Sequence, residues 1–213
     1  MKNQLVEIIE KYKMNGFDEK WDSIGRSLGG WGTDKNDWHG YCDYYEEQLL
    51  PYQDKEVNVL EIGSCFGCSA IMWHDFLPKS KILMLDIFDK LSPKCWDIMD
   101  NDRFTYANCD AYDTETIPEV KNLFPDGFDI IFDDGPHTLQ SQKECLDYYL
   151  PLLKTGGSLF IEDVQSYEEL EKLQEHFDGM VKTCDGEYSS ELVDLRYVKD
   201  RYDDLIFAVK KIK

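Results

Sequence analysis

The sequence predicts an α/β fold: a Rossmann-like, seven-stranded, mainly parallel sheet with helices on both faces and an antiparallel last strand. Three observations carry this. From Val57 onward, short apolar runs alternate with stretches of helical periodicity, the pattern of successive βαβ units. The runs are nearly continuous rather than alternating, as in strands covered on both faces. Several of them end in an acid or a glycine turn, and in open parallel sheets ligands sit beyond the carboxyl ends of the strands.

Leu5, Ile8, Ile9 and Tyr12 recur at helical spacing, so residues 2–14 read as a small amphipathic helix stopped at Gly16. A polar, Gly- and Trp-rich segment from Asp18 to about Gly40, containing WGTDKNDWHG, reads as a loop that folds over something. The strand and helix pairs follow: VNVLEI then SAIMWHDFL, KILMLDI then a region to Asp100, FTYANC then ETIPEVKNLF, FDIIFDD then TLQSQKECLDYYLPLL, SLFIEDV then YEELEKLQEHF. MVKTC and DLIFAVKKI are expected to pair as the antiparallel end of the sheet. No repeat or linker divides the chain, and it is too short between strands for an eight-fold barrel.

With 23 basic and 43 acidic residues the net charge is -20, which repels phosphate backbones and anionic lipid, so neither nucleic acid nor membrane is an expected partner. Apolar runs of four to five residues fall far below the roughly 20 needed to span a bilayer. A soluble, cytoplasmic protein is the expectation. The seven cysteines show no framework spacing and several lie in apolar runs, so no structural disulfide is expected. Cys65 and Cys68 form a single C-x-x-C, which cannot close a four-ligand zinc site.

The strand ends hold the chemistry. After the first strand comes EIGSCFGCS, Glu61 to Ser69, whose glycines permit a tight turn toward a helix N-terminus; a cofactor loop and an ordinary βα turn both fit. Asp86 ends the second strand 25 residues after Glu61, where an acid can accept hydrogen bonds from ribose hydroxyls or serve as a cap. Asp110 follows the third strand, as an adenine contact or a turn residue. The fourth and fifth strands deliver Asp133, Asp134, Glu162 and Asp163 to one rim, where four carboxylates repel unless something positive sits among them. A hard divalent cation on Asp134, Glu162 and Asp163 answers that, with Asp133 left as a helix cap or a supporting acid. His137, behind the Gly135-Pro136 turn, is placed to act as a proton acceptor. His74 and His176 read as solvated.

EIGSCFGCS, Asp86, DDGPH and IEDV in this order resemble class I S-adenosylmethionine-dependent methyltransferases, more narrowly the metal-dependent sugar O-methyltransferases of the macrocin and mycinamicin type. GTDK at 32–35 with His39, Tyr41, Tyr44 and Tyr45 resembles an upstream motif of that family, which closes over cofactor and substrate. The resemblance implies one domain, with 1–50 as helix and lid or substrate segment and 56–213 as cofactor-binding core. It implies Thr33, Glu61, Gly63, Ser64, Gly67, Asp86 and Asp110 at S-adenosylmethionine, and Asp134, Glu162 and Asp163 at Mg²⁺. It further implies His137 as general base, and Asp34, Lys35, His39 and Tyr41 toward a small-molecule sugar or glycan acceptor. Cys65 departs from the family by standing where a glycine is usual. A homo-oligomer is compatible with this reading. A catechol-type or other small-molecule O-methyltransferase is the alternative, and a nicotinamide-dependent oxidoreductase fits less well because the loop lacks a full G-x-G-x-x-G.

Overall fold

The structure, a computed structural model, describes residues 2–15, 32–99 and 101–213. Its sheet has seven strands: β1 (Val57–Ile62), β2 (Ser80–Asp86), β3 (Phe104–Asn108), β4 (Phe128–Asp133), β5 (Leu153–Ile161), β6 (Tyr188–Asp194) and β7 (Leu205–Lys211), in the order β3-β2-β1-β4-β5-β7-β6. Strands β1 to β5 are parallel, and β7 runs antiparallel between β5 and β6. The chain steps outward from β1 to β3 and returns to β4 on the other side of β1. That reversal opens a crevice above the β1/β4 pair, where such sheets bind ligands.

Strand periodicity divides the apolar side chains between two faces. On one, Val57, Val59, Ile82, Met84, Ile130 and Phe132 pack against α1 (Gln4–Lys11), α2 (Cys42–Leu49), α3 (Cys68–Phe76) and the segment leading through α4 (Trp96–Met99). On the other, Leu60, Ile62, Leu83, Leu85, Ile131 and Leu159 pack against α5 (Thr116–Leu123), α6 (Leu139–Tyr149) and α7 (Tyr167–Val181). A last short helix, α8 (Arg196–Lys199), precedes β7. Helices therefore cover both faces, as expected. No helix of the described residues is long and apolar enough to cross a membrane, and the cysteines are free thiols.

Three expectations are corrected. MVKTC is not a strand: Met180 and Val181 complete α7, and the sheet edge is Tyr188–Asp194 instead. YSSELVD buries only Val193 and so lacks the apolar run that marks the inner strands. Helix α2 was not anticipated; it begins with Cys42 and carries Tyr45 into the core against Trp73, Phe132 and Phe160. His74 and His176 are half-buried rather than solvated, the first engaged by Arg103 and Asn101 and the second by Asp147 at 2.9 Å. The stop at Gly16 and part of the Trp-rich segment, residues 16–31, lie outside the described residues.

Candidate active site

Register assembles the site. Ile62 of β1 lies beside Asp133 of β4, which lies beside Ile161 of β5. Gly63, Asp134 and Glu162 therefore emerge side by side, tied by Asp134 N–H to Ile62 O (2.9 Å) and Glu162 N–H to Asp133 O (2.9 Å). At Gly63 the backbone has φ +79°, and a Cβ there would stand 1.9 Å from the Asp134 carbonyl oxygen. Only glycine lets β1 turn against β4 so closely. Three non-glycine residues at this edge, Cys65, His137 and Asp163, also have positive φ (50°, 56° and 52°), a kind of backbone strain that gathers at functional sites. Just after His137, a reciprocal Thr138–Ser141 capping box starts α6 and fixes where the turn ends.

The crevice is a cavity of about 580 Å³. Of the residues expected at the cofactor, Thr33, Gly63, Ser64, Asp86 and Asp110 line it. Asp86 accepts from Cys65 N–H (2.5 Å) and Phe88 N–H (2.8 Å), so the acid at the end of β2 also holds the glycine loop. Gly67 is behind the wall, at φ +79° before α3, with Leu91 and Cys95 where a side chain would go. Phe88 was not singled out in the sequence; it is 43% exposed, lines the cavity and stacks on Phe66 at 5.9 Å. An apolar side chain left open just past a strand end is the signal that identifies it.

Glu61 does not line the cavity. It is fully buried, accepts from Ser69 Oγ (2.8 Å) and Trp73 Nε1 (3.1 Å), and burial pushes its carboxyl up to about 7. A carboxyl raised on folding makes the fold most stable while protonated in both states, below about pH 4.5, and that stability is lost as pH rises toward about 7. The loss expected from this group is on the order of 3 kcal/mol, and Glu61→Gln should abolish it, as read by urea denaturation at about pH 5 and pH 8.

At the rim, ligand atoms of Asp134, His137 and Asp163 lie within 4.8 Å of one another. His137 Nε2 is 3.8 Å from Asp134 Oδ1 and 3.8 Å from Asp163 Oδ2. Burial and the neighbouring Asp134 charge push the Asp163 carboxyl up to about 6. Glu162 is brought to the same rim but faces inward, its carboxyl raised well above the usual range by burial. It accepts from Lys35 Nζ (2.6 Å) and Tyr45 OH (2.7 Å), while Lys35 also donates to Asp134 Oδ2 at 2.8 Å. Burial works against the Lys35 charge, yet Asp134 and Glu162 hold its ammonium well above the ordinary lysine value.

Of the four residues expected toward the acceptor, only Asp34 lines the cavity. Lys35, His39 and Tyr41 are buried partners of the acids: His39 Nδ1 meets Asp204 Oδ1 at 2.6 Å, and Tyr41 OH donates to Asp163. Asp133 is not a helix cap, since Thr138 caps α6. It is a buried acid, pushed up to about 6 by burial, which accepts the hydroxyl of cavity-lining Tyr112.

Two carboxylates with free oxygens and an imidazole converge on one point, a donor set that fits a divalent cation. The cavity beside them is lined by Asp34, Asp86, Asp110, Asp134 and Glu144, with no lysine or arginine among its described lining residues. It suits a ligand that carries positive charge.

Comparison with known proteins agrees with this geometry. Residues 60–164 match the family model described as a methyltransferase domain. Mycinamicin VI 2''-O-methyltransferase of Micromonospora griseorubida is 29% identical over 133 residues, 59% of this chain and 32% of the relative. 8-Demethyl-8-alpha-L-rhamnosyl tetracenomycin-C 2'-O-methyltransferase of Streptomyces olivaceus is 27% identical over 142 residues, 63% of this chain and 36% of the relative. The chain thus spans about a third of the length of these relatives. Among solved structures, the MycE methyltransferase of the mycinamycin biosynthetic pathway, in complex with Mg and SAH, superposes with a TM-score of 0.68 at 22% identity, covering 99% of this chain and 55% of that one.

Proposed function

We propose, from the match of residues 60–164 to the methyltransferase-domain family model, that this chain is an S-adenosylmethionine- and divalent-cation-dependent O-methyltransferase acting on a hydroxyl of a sugar or glycan. The observation that carries the reading is the cavity lining of five carboxylates without a lysine or arginine among the described residues. A sulfonium is favoured there, whereas the pyrophosphate of a nicotinamide dinucleotide is repelled. The sugar acceptor is supported by the relatives, one of which is named for a rhamnosyl substrate.

When bound, the cofactor supplies an electrophilic methyl group and the cation supplies Lewis acidity toward oxygen. The chain supplies the rest. Gly63 and Ser64 with Asp86 line the cavity at the ends of β1 and β2 and would hold the cofactor there, and Thr33 and Asp34 line it from the N-terminal segment. Asp134 and Asp163 would seat the cation at the rim, with Glu162 behind them. His137, fixed between the Pro136 turn and the α6 cap, accepts the proton of the acceptor hydroxyl. Holding the reacting oxygen in line accounts for much of the barrier reduction such a site can give.

Calorimetric titration should show S-adenosylhomocysteine binding and no measurable NAD binding. The reverse preference would end the methyltransferase reading.

A further inference from the structure

The cavity occupies one side of the rim only. Its lining comes from the 32–34 segment, the ends of β1, β2 and β3, the turn after β4 and the start of α6, and no described residue beyond Glu144 contributes to it. In-line transfer requires the acceptor to approach from across the rim, on the side of Asp163. The sheet fixes what stands there. Strand β7 is antiparallel to β5 and β6 to β7, with Ile161 beside Phe207 and Asp194 beside Leu205, so the connection between β6 and β7 emerges at the same edge as Asp163.

Two aromatic rings are left open at this place: Trp38 is 55% and Tyr202 62% exposed. Both are linked to Asp163. Trp38 precedes His39, whose Nε2 is 3.5 Å from Asp163 Oδ2, and the Tyr202 hydroxyl donates to Gln165 Oε1 (3.2 Å), whose amide donates to the Asp163 carbonyl (2.8 Å). Between them the Arg201 guanidinium covers the Trp38 ring at 4.3 Å from its centroid, lies 5.9 Å from that of Tyr202 and donates to Asp203 Oδ2 at 3.0 Å. Large rings that are braced yet open to solvent mark a binding surface. A pyranose suits this one: its C–H face packs on the negative face of an aromatic ring, and its hydroxyls can meet the phenol, amide and guanidinium groups alongside.

We propose, resting on the methyltransferase reading above, that Trp38 and Tyr202, braced by Arg201, form the acceptor subsite and hold one ring of a pyranoside across the rim from the cofactor, with the rest of the glycoside extending into solvent.

The test is saturation-transfer difference NMR on the full chain loaded with S-adenosylhomocysteine and Mg²⁺, titrated with the methyl glycosides of rhamnose, glucose, galactose, mannose and xylose. At least one should bind, with transfer strongest at its ring C–H protons. Trp38→Ala and Tyr202→Ala should each weaken that binding about tenfold, and Trp38→Phe and Tyr202→Phe, which keep a ring, less than about threefold. S-adenosylhomocysteine affinity should stay within about twofold of the parent in all four variants, which also reports that they are folded. Binding of no glycoside by protein that binds S-adenosylhomocysteine, a glycoside indifferent to both alanine variants, or a parallel loss of both ligands in those variants overturns the subsite while leaving the methyltransferase reading in place. Failure of the parent protein to bind S-adenosylhomocysteine overturns that reading and the subsite with it.

Discussion

Replacing His137 by alanine should lower methyl transfer by roughly 10² to 10⁴ while leaving S-adenosylhomocysteine affinity unchanged. His137 stands at the rim, 3.8 Å from both Asp134 and Asp163, and not among the groups that hold the glycine loop. Asp134→Ala is expected to act differently, removing turnover and its dependence on divalent ion together. Single-turnover rates across a Mg²⁺ series separate the two, and full activity of either variant, or of the parent protein in excess chelator, contradicts the roles given to them.

The second large effect concerns backbone. Gly63→Ala should destabilise the fold by roughly 3 kcal/mol or more, because it adds a strained positive φ to an impossible approach to the Asp134 carbonyl. Gly156 provides the control. It has a similar φ of +81° but nothing within 4 Å of a built Cβ, so Gly156→Ala should cost only about 1 kcal/mol. Denaturant unfolding of the two variants measures the difference, and equal losses would show that the contact at Gly63 is relieved cheaply.

These expectations show where the sequence was readable. Strands β1, β2, β4 and β5 announce themselves as apolar runs that stop at acids, and stepping through those ends finds Gly63, Asp86, Asp134 and Asp163. The polar edge strand β6 could not be found this way, since Ser189, Ser190 and Glu191 face solvent or lie half-buried and only Val193 enters the core. That Glu61 turns toward α3 was not legible, because strand alternation by itself does not say which layer a carboxylate faces; Trp73 and Ser69 on α3 decide it. Lys35 was the hardest. It was expected toward the acceptor, and burial of its ammonium depends on partners 99 and 127 residues away, which no local pattern announces. Part of the positive charge among the rim acids comes from the chain itself, as the Lys35 ammonium.

The separations at the rim have a kinetic consequence. Lys35 meets Glu162 across 127 positions, Tyr41 meets Asp163 across 122, and His39 meets Asp204 across 165. Contacts of such sequence distance carry the full loop-closure entropy and form after local helices and neighbouring strands. The rim is therefore expected to complete late in folding, after β1, α3 and the glycine loop, and stopped-flow refolding that shows Lys35 and Glu162 joined before the sheet forms would contradict this. Assembly of the proposed site would thus report on completed topology rather than on any one segment.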